Sequence, residues 1–296
     1  LLSDGEQRVL VDCGLFQGLK RLRQRNWRSL PVKPSEIDAV VLTHAHIDHS
    51  GYLPALVRDG FRGPIYCTPP SKDLVPILLT DSGRLQEEDA TYANRKGFSK
   101  HRPALPLYTE DDAKRVAKRL EAVGYHTDVD LGSWTCRFEP AGHILGAASL
   151  TITWEGTRFL FSGDLGRDDA PLIPPPESPP PADWVVMEGT YGNRDHSDAD
   201  LEENLGEVAR RTLGRGGVLM VPAFAVGRSQ AILYAVYQLI DGGELPEVPV
   251  YLNSPMAIDV TKLYVRHAAY HRLTVEECRQ AFGRVRLVRS VERANS

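Results

Sequence analysis

The sequence predicts an α/β protein in which a β-rich sandwich precedes a second, smaller α/β unit. Two series of β-rich segments occur in the first two thirds of the chain, one over 6–68 and one over 135–166. Strands and helices then alternate over the last third, which indicates a doubly wound α/β arrangement. We therefore place one domain at 1–190 and another at 191–296.

Short β-branched runs bounded by turn residues define the first series. Strands are predicted at 6–14, 37–46 and 63–68, with a helix at 51–60. Residues 71–123 are predicted to be largely helical, and within 111–123 Val116, Leu120 and Val123 share one helix face. The "TEDDA" segment ahead of them supplies a helix N-cap.

The second series and the last third follow from the same signals. Strands are predicted at 135–143, 148–156 and 157–166, and the proline-rich stretch 171–181 is predicted to be an extended connector. Beyond the connector the predicted order is strand, helix, strand, helix, strand, at 183–192, 199–213, 216–224, 227–240 and 248–255.

Composition narrows the class of protein. The chain is 42% hydrophobic and 25% charged with a net charge of −4, which is typical of a globular domain and gives no overall attraction to polyanions. Its four cysteines form no C-x-x-C pair, which indicates reduced thiols and a cytoplasmic protein. No apolar run is long enough to span a membrane. The chain opens at Leu1 without a methionine, so we expect it to be a fragment.

The stretch "THAHIDHSG" (43–51) concentrates metal-ligating groups directly after an apolar strand. His44, His46, Asp48 and His49 fall within six positions, and zinc accepts imidazole and carboxylate ligands. In an extended segment His44 and His46 point the same way and could hold one ion, while Asp48 and His49 could face a second. Burying four such groups is costly unless they are paired or metallated, which favours a metal site.

Two glycine-flanked turns later in the chain could complete this site. His143 lies in "EPAGHILGA" and Asp164 in "FLFSGDLGR", both at predicted strand ends, where site residues collect. An aspartate has two oxygens, so Asp164 is the natural ligand to bridge two ions. Asp12 ends the first predicted strand and is better placed to orient a histidine or a bound water.

These motifs resemble those of a known family. "VDCG", "THAHIDHSG", "AGHILGA" and "SGDLGR", in that order, resemble the metallo-β-lactamase superfamily. "MEGTYGNR" (187–194), "VPAFAVGRSQ" (221–230) and "LNSPMA" (252–257) are similar to its β-CASP branch of RNA-processing nucleases, above all the bacterial and archaeal exonuclease-like members. The resemblance implies an αββα sandwich followed by a partial α/β β-CASP domain.

The resemblance also implies two zinc ions. Their ligands would be three histidines for one ion, an aspartate and a histidine for the other, and a bridging aspartate: His44, His46 and His143; Asp48 and His49; and Asp164. Glu188 matches an acidic residue close to the family's active site, and joins Asp12 and Asp48 as a catalytic candidate. The family continues past residue 296 with a Gly-rich motif and two further histidines, one of them a ligand of the second ion. We therefore expect the chain to be truncated at both ends.

Together these inferences predict a zinc-dependent ribonuclease that hydrolyses RNA phosphodiester bonds through a metal-activated hydroxide, in RNA processing or decay. The run 20–28 supplies Arg21, Arg23 and Arg25 for single-stranded RNA, with Trp27 able to stack a base, although a solvated helix face explains it equally well. Arg228 and Ser229 lie at a predicted helix start, where either phosphate binding or simple N-capping would account for them.

Two other functions stay open. A small-molecule hydrolase of the same superfamily, such as a thioesterase, lactonase or β-lactam hydrolase, would need neither the β-CASP-like motifs nor the basic run. A non-catalytic RNA-binding subunit would be expected to have lost its metal ligands, yet every ligand expected within 1–296 is present. Endo- and exonucleolytic cleavage, RNA and DNA targets, and a monomer and a homodimer are all compatible with the sequence.

Overall fold

A computed structural model describes residues 1–193 and 201–289. The chain divides into two compact units, each described by itself below. Unit 1 comprises Leu1–Asp168 and Pro175–Glu188, and unit 2 comprises Asp169–Pro174 and the described residues from Gly189 onward. Arg194 of the "MEGTYGNR" motif and the predicted helix positions 199 and 200 lie outside the described residues.

Unit 1 contains two five-stranded sheets. Its elements as far as the second sheet are β1 (Leu2–Ser3), β2 (Arg8–Val11), α1 (Lys20–Arg23), β3 (Ala39–Val41), α2 (Ile47–Ser50), α3 (Leu53–Arg58), β4 (Ile65–Cys67), α4 (Pro69–Lys96), α5 (Glu110–Val116) and β5 (Leu120–Ala122). The second sheet contains β6 (Asp128–Asp130), β7 (Trp134–Pro140), β8 (Ala148–Trp154), β9 (Thr157–Phe161) and β10 (Trp184–Val186). Both sheets are mixed, with orders β1-β2-β3-β4-β5 and β10-β9-β8-β7-β6.

One apolar core joins the two sheets of unit 1. Alternation along β7 buries Trp134, Cys136 and Phe138 on one face of the second sheet. These side chains belong to the same core cluster as Val9 and Val41 of the first sheet. The two sheets therefore pack against each other, and the predicted α/β class with a β sandwich is confirmed.

The predicted helix through residue 123 is wrong in its last part. Helix α5 ends at Val116, a 3₁₀ turn follows, and Leu120 begins strand β5. Leu120 pairs in parallel with Ile65 of β4, and the Val123 amide donates to the Cys67 carbonyl at 2.8 Å. Leu120 and Val123 are buried as their spacing suggested, but Leu120 pairs with strand β4 and Val123 lies just past the end of β5.

Unit 2 is mainly helical among the described residues. Its elements are α6 (Leu201–Leu213), α7 (Arg228–Asp241), β11 (Tyr251–Leu252), α8 (Pro255–Arg266), α9 (Val275–Gly283) and β12 (Arg286–Leu287). Strands β11 and β12 pair in parallel. The prediction missed α8 and α9, although Ser254 and Thr274 cap their first turns through side-chain oxygens.

The strand predicted at 216–224 does not form in the described part of unit 2. Val218, Met220 and Phe224 are each more than four-fifths exposed, and the segment pairs with no described strand. Alternating apolar residues specify a strand only when a ladder partner is present, so the pattern alone was insufficient here. The proline-rich stretch 171–181 contains neither helix nor strand, as predicted for a connector.

Candidate metal centre

The histidine motif occupies the loop and short helix that follow β3. His44 and His46 lie in the loop, while Asp48 and His49 lie on α2. The hydroxyl of buried Ser50 donates to the Ala45 and His46 carbonyls, which fixes the loop. His44 has no exposed surface, whereas Asp48 is exposed. Strand β3 therefore places the candidate ligands that follow it at the edge of the apolar core.

His143 and Asp164 reach the same place from the second sheet. His143 lies in the turn between β7 and β8, and Asp164 follows β9. The two turns are in contact, since the Gly166 amide donates to the Ala141 carbonyl at 2.8 Å. A Cβ on Gly166 would lie 1.7 Å from the Gly142 carbonyl oxygen, so a larger residue cannot occupy position 166 without displacing the turn. The Ala148 amide also donates to the Thr43 carbonyl at 2.9 Å, which joins both sheets beside the site.

Four donor atoms converge at this junction. The distance from His46 Nδ1 is 3.1 Å to His44 Nε2 and 3.2 Å to His143 Nε2. Asp164 Oδ2 lies 3.5 Å from His143 Nε2 and 3.8 Å from His44 Nε2. Ligands of a tetrahedral zinc with bonds of about 2.0–2.1 Å would be roughly 3.3–3.4 Å apart. The donor set and its spacing therefore fit one zinc-sized ion.

A second group shares Asp164. Donor atoms of Asp48, His49 and Asp164 lie within 4.8 Å of one another. His49 Nε2 is 3.1 Å from Asp164 Oδ1, the oxygen that does not face His44 and His143. The two oxygens of Asp164 thus face the two groups separately, which is the arrangement of a bridging ligand.

Hydrogen bonds orient two of the candidate ligands, His44 and His49. The Thr43 hydroxyl donates to Asp12 Oδ2 at 2.9 Å, so it accepts from His44 Nδ1 at 3.1 Å and leaves His44 Nε2 as a bare acceptor. His49 Nδ1 donates to Asp12 Oδ2 at 2.7 Å. Its Nε2 then faces an Asp164 oxygen, which is unfavourable unless a proton or a cation lies between them. Asp12 has a φ of 54°, a strained value for a non-glycine residue, and holds both partners from this position.

The charge state of three of the four histidines favours cation binding. Burial lowers the pKa of His44, of His46 (to about 4) and of His143, so all three are neutral donors near pH 7. For His49, burial lowers the pKa, but hydrogen bonds to Asp12 and Asp164 outweigh burial and raise it to about 10. His49 therefore carries a proton that a divalent cation would displace.

The other predicted residues occupy different positions. Glu188 lies in unit 1, where its Oε1 accepts from the Leu165 amide at 3.3 Å, one residue from Asp164. Arg21, Arg23 and Arg25 are exposed on and after α1. Ser229 lies in unit 2, is 7% exposed, and donates its hydroxyl to the Phe224 carbonyl at 2.7 Å. Gln230, and not Ser229, accepts from the Gly227 amide at the start of α7.

Two residues that support the candidate metal centre, Thr43 and Gly14, were not predicted from the sequence. Thr43 was visible as the first letter of the histidine motif, but its link to Asp12 needs the parallel pairing of β2 with β3. Gly14 was visible only as a turn residue, yet its Cα packs against the backbone of α2. Both act through contacts between segments that are distant in sequence.

Comparison with known proteins agrees with this site. Residues 1–207 match the metallo-beta-lactamase superfamily, and residues 229–296 match the Beta-Casp (β-CASP) domain. The chain therefore belongs to the metallo-β-lactamase superfamily and carries a β-CASP domain. No helix in the described ranges is both long and apolar enough to cross a membrane.

Several curated proteins are similar over most of the chain. Ribonuclease TTHA0252 of Thermus thermophilus is 39% identical over 271 residues, covering 91% of this chain and 58% of that protein. Transcription termination factor FttA of Methanosarcina mazei is 34% identical, covering 91% and 41%. Cleavage and polyadenylation specificity factor 73 of Drosophila melanogaster is 28% identical, covering 87% and 36%. The chain thus spans less than two thirds of the length of these relatives.

Proposed function

We propose that this member of the metallo-β-lactamase superfamily is a zinc-dependent ribonuclease that hydrolyses RNA phosphodiester bonds in RNA processing or decay. The observation that carries the proposal is the convergence of His46 Nδ1 with His44 Nε2 and His143 Nε2, at 3.1 and 3.2 Å, beside Asp164. RNA as the substrate is supported by the β-CASP match and by the names of similar proteins, which include a ribonuclease and a cleavage and polyadenylation specificity factor.

The proposed ligands divide between two ions. His44, His46 and His143 would hold one, Asp48 and His49 would hold the other, and Asp164, which belongs to both groups, would be shared. Bound zinc supplies positive charge for a phosphoryl oxygen and lowers the pKa of water toward neutrality.

The chain's own residues position this set. Asp12 keeps His49 in the tautomer whose Nε2 faces the ion. Glu188 acts beside the turn that carries Asp164, where its carboxylate accepts a hydrogen bond from the Leu165 amide. Asp48 is exposed, so it is the ligand nearest to arriving substrate and solvent.

A basic–aromatic patch next to this centre fits single-stranded RNA. We define the patch by Phe16, Arg21, Arg23, Arg25 and Trp27. Phe16 is 48% and Trp27 61% exposed, and the Arg25 guanidinium lies 5.5 Å from the Phe16 ring centre. The three arginines form no ion pair with residues that the structure describes. Exposed rings with unpaired cations are the combination that binds single strands by stacking and phosphate contact.

The patch is anchored to the ligand helix. The Leu15 amide donates to the Ile47 carbonyl of α2 at 3.0 Å. Phe16, the first residue of the patch, follows Leu15, and Asp48 follows Ile47, so the patch begins beside the helix that carries Asp48. Buried Asn26 accepts from the Phe16 amide at 2.8 Å and donates to its carbonyl at 2.9 Å, which holds Trp27 near Phe16. An RNA strand stacked on the patch would therefore lie beside the metal centre. For Arg228 and Ser229 we propose only that Arg228 contacts RNA, because the Ser229 hydroxyl is already engaged.

Replacing Trp27 with alanine is expected to weaken the binding of a single-stranded RNA oligonucleotide by about 5- to 100-fold, the value of one lost stacking contact. Fluorescence anisotropy at fixed salt measures the dissociation constant. Trp184→Ala is the matched control, because Trp184 is 63% exposed on β10 and lies outside the patch. Unchanged affinity, or an equal loss in the control, would exclude the patch as the RNA surface.

The proposed reaction is tested with zinc-loaded protein on a 5′-labelled single-stranded RNA. We expect cleavage products that disappear with a chelator and return with zinc. Nitrocefin and a glutathione thioester, offered in parallel, should not be hydrolysed. Turnover of either small molecule without RNA cleavage would instead establish the small-molecule hydrolase alternative, and a protein that binds RNA but no zinc would favour a non-catalytic RNA-binding subunit.

Cellular location and assembly form a smaller part of the proposal. All four cysteines are free and buried, which supports the reducing cytoplasm as the compartment. Association into a homodimer stays a prediction, which sedimentation velocity of the purified protein would test.

A further inference from the structure

A second cluster of cationic side chains lies in unit 1, away from the metal ligands. A cavity of about 340 Å³ is lined by one apolar and five basic residues: Val57, Arg58, Arg62, Arg115, Lys118 and Arg119. We propose that this cavity, the cation pocket, binds phosphate groups at a site separate from the metal centre.

The cation pocket lies at the opposite edge of the first sheet from the metal ligands. Strands β3, β4 and β5 are parallel neighbours, so their N-terminal ends share one edge and their C-terminal ends the other. Arg62 and Arg119 precede β4 and β5, whereas His44 follows β3. At the far end of β4, the Thr68 hydroxyl donates to the Gly146 carbonyl in the turn that contains His143. A phosphate in the cation pocket is therefore separated from the ligands by the length of the strands.

Positive charge in the cation pocket exceeds the negative charge around it. Arg58 binds Asp59 through two hydrogen bonds of 2.8 and 3.1 Å, and Arg115 reaches Asp112 at 3.2 Å. The other three cations, Arg62, Lys118 and Arg119, form no ion pair within residues 1–193 and 201–289. Crowding like charges around one cavity is unfavourable, and a bound anion would relieve it. The chain as a whole is acidic, so this charge is a local feature.

Backbone contacts hold three of the guanidinium groups in place, beginning with Arg58 Nη1, which donates to the Leu107 carbonyl at 2.5 Å. Arg62 Nη1 donates to the Val57 and Phe61 carbonyls at 2.9 and 2.8 Å, and Arg119 donates to the Arg62 carbonyl. The Nε and Nη2 groups of Arg62 have no hydrogen-bond acceptor in the described part of the chain. A fixed guanidinium with free donors matches the geometry of phosphate oxygens.

The test uses Lys118, because its side chain is exposed and forms no hydrogen bond or ion pair with residues in the described ranges. Lys118→Gln is expected to weaken binding by about 10-fold, the value of one charge-assisted hydrogen bond. The matched control is Lys114→Gln on the same segment, since Lys114 pairs with Glu110 and lies outside the lining. Two probes are titrated by calorimetry into each protein: inorganic pyrophosphate and a single-stranded RNA 12-mer.

The two probes distinguish free phosphates from a nucleic-acid backbone. If Lys118→Gln binds pyrophosphate more weakly but binds RNA as tightly as before, the cation pocket is assigned to a free phosphate compound. Loss confined to RNA assigns it to the backbone of a bound strand. If neither affinity changes, or if Lys114→Gln loses as much, the proposal is overturned. RNA cleavage is measured separately. If the protein cleaves RNA but Lys118→Gln changes the affinity for neither probe, this inference is refuted and the proposed function still stands.

Discussion

Replacing His46 with alanine should remove most of the bound zinc and lower the rate of RNA cleavage by at least about 1,000-fold. This loss of rate is larger than that expected when a single electrostatic contact is removed from an active site. His46 Nδ1 lies between His44 Nε2 and His143 Nε2, at 3.1 and 3.2 Å. Its removal therefore leaves a gap in the donor set that no other described side chain fills. Zinc content by mass spectrometry and single-turnover cleavage of labelled RNA measure the two effects.

Two further variants make this prediction specific. His101→Ala should keep both zinc and activity, because His101 is exposed and belongs to neither ligand group. Asp12→Asn should show an intermediate effect, with zinc affinity reduced by about 10- to 100-fold, because Asp12 orients His49 without belonging to either group. A His46→Ala protein that retained two zinc ions and full activity would show that the cluster is not the metal centre.

The convergence of the candidate ligands could be predicted because each of their segments follows a strand whose local signal is strong. His44 follows the β-branched strand β3, and Asp164 follows β9 after a glycine turn. When such strands pack in one sandwich, their connecting loops meet at the same edge, so separate motifs become one site. The pairing of turns through the Gly166 amide and the Ala141 carbonyl was beyond prediction, since it joins residues by tertiary packing alone.

The two wrong secondary-structure predictions, the helix through residue 123 and the strand at 216–224, have the same cause: a strand forms only where another strand is available to pair with it. Leu120 has the spacing of a helix, yet it becomes a strand because β4 offers an unpaired edge. Val218 and Met220 have the alternation of a strand, yet they pair with no strand in the described ranges. The cation pocket brings Arg62 and Arg119 together across a similar distance in sequence. Local periodicity reports which residues prefer burial, and the available partner then decides the element.

Replacing Gly14 with alanine is expected to lower the free energy of unfolding of unit 1 by about 3 kcal/mol, the upper end of the usual cost of overpacking. A Cβ at this position would lie 1.5 Å from the Asp48 carbonyl oxygen and 2.6 Å from the His49 amide nitrogen. Both are backbone atoms, so no side-chain rotation can relieve the contact. Gly124→Ala is the matched control in the same unit, because its nearest neighbour would be Thr127 Oγ1 at 3.6 Å, an ordinary contact.

The same substitution should also affect the metal centre of the molecules that remain folded. The Cys13 amide donates to the His49 carbonyl at 2.7 Å, so any outward movement of residue 14 pulls on the helix that carries Asp48 and His49. Urea unfolding followed by circular dichroism gives the stability, and zinc titration without urea gives the affinity. We expect Gly14→Ala to bind the second zinc more weakly than Gly124→Ala does. If Gly14→Ala and Gly124→Ala unfold at the same urea concentration, the segment after β2 can move to accept the added methyl group. The close packing of Gly14 against α2 would then contribute nothing to stability.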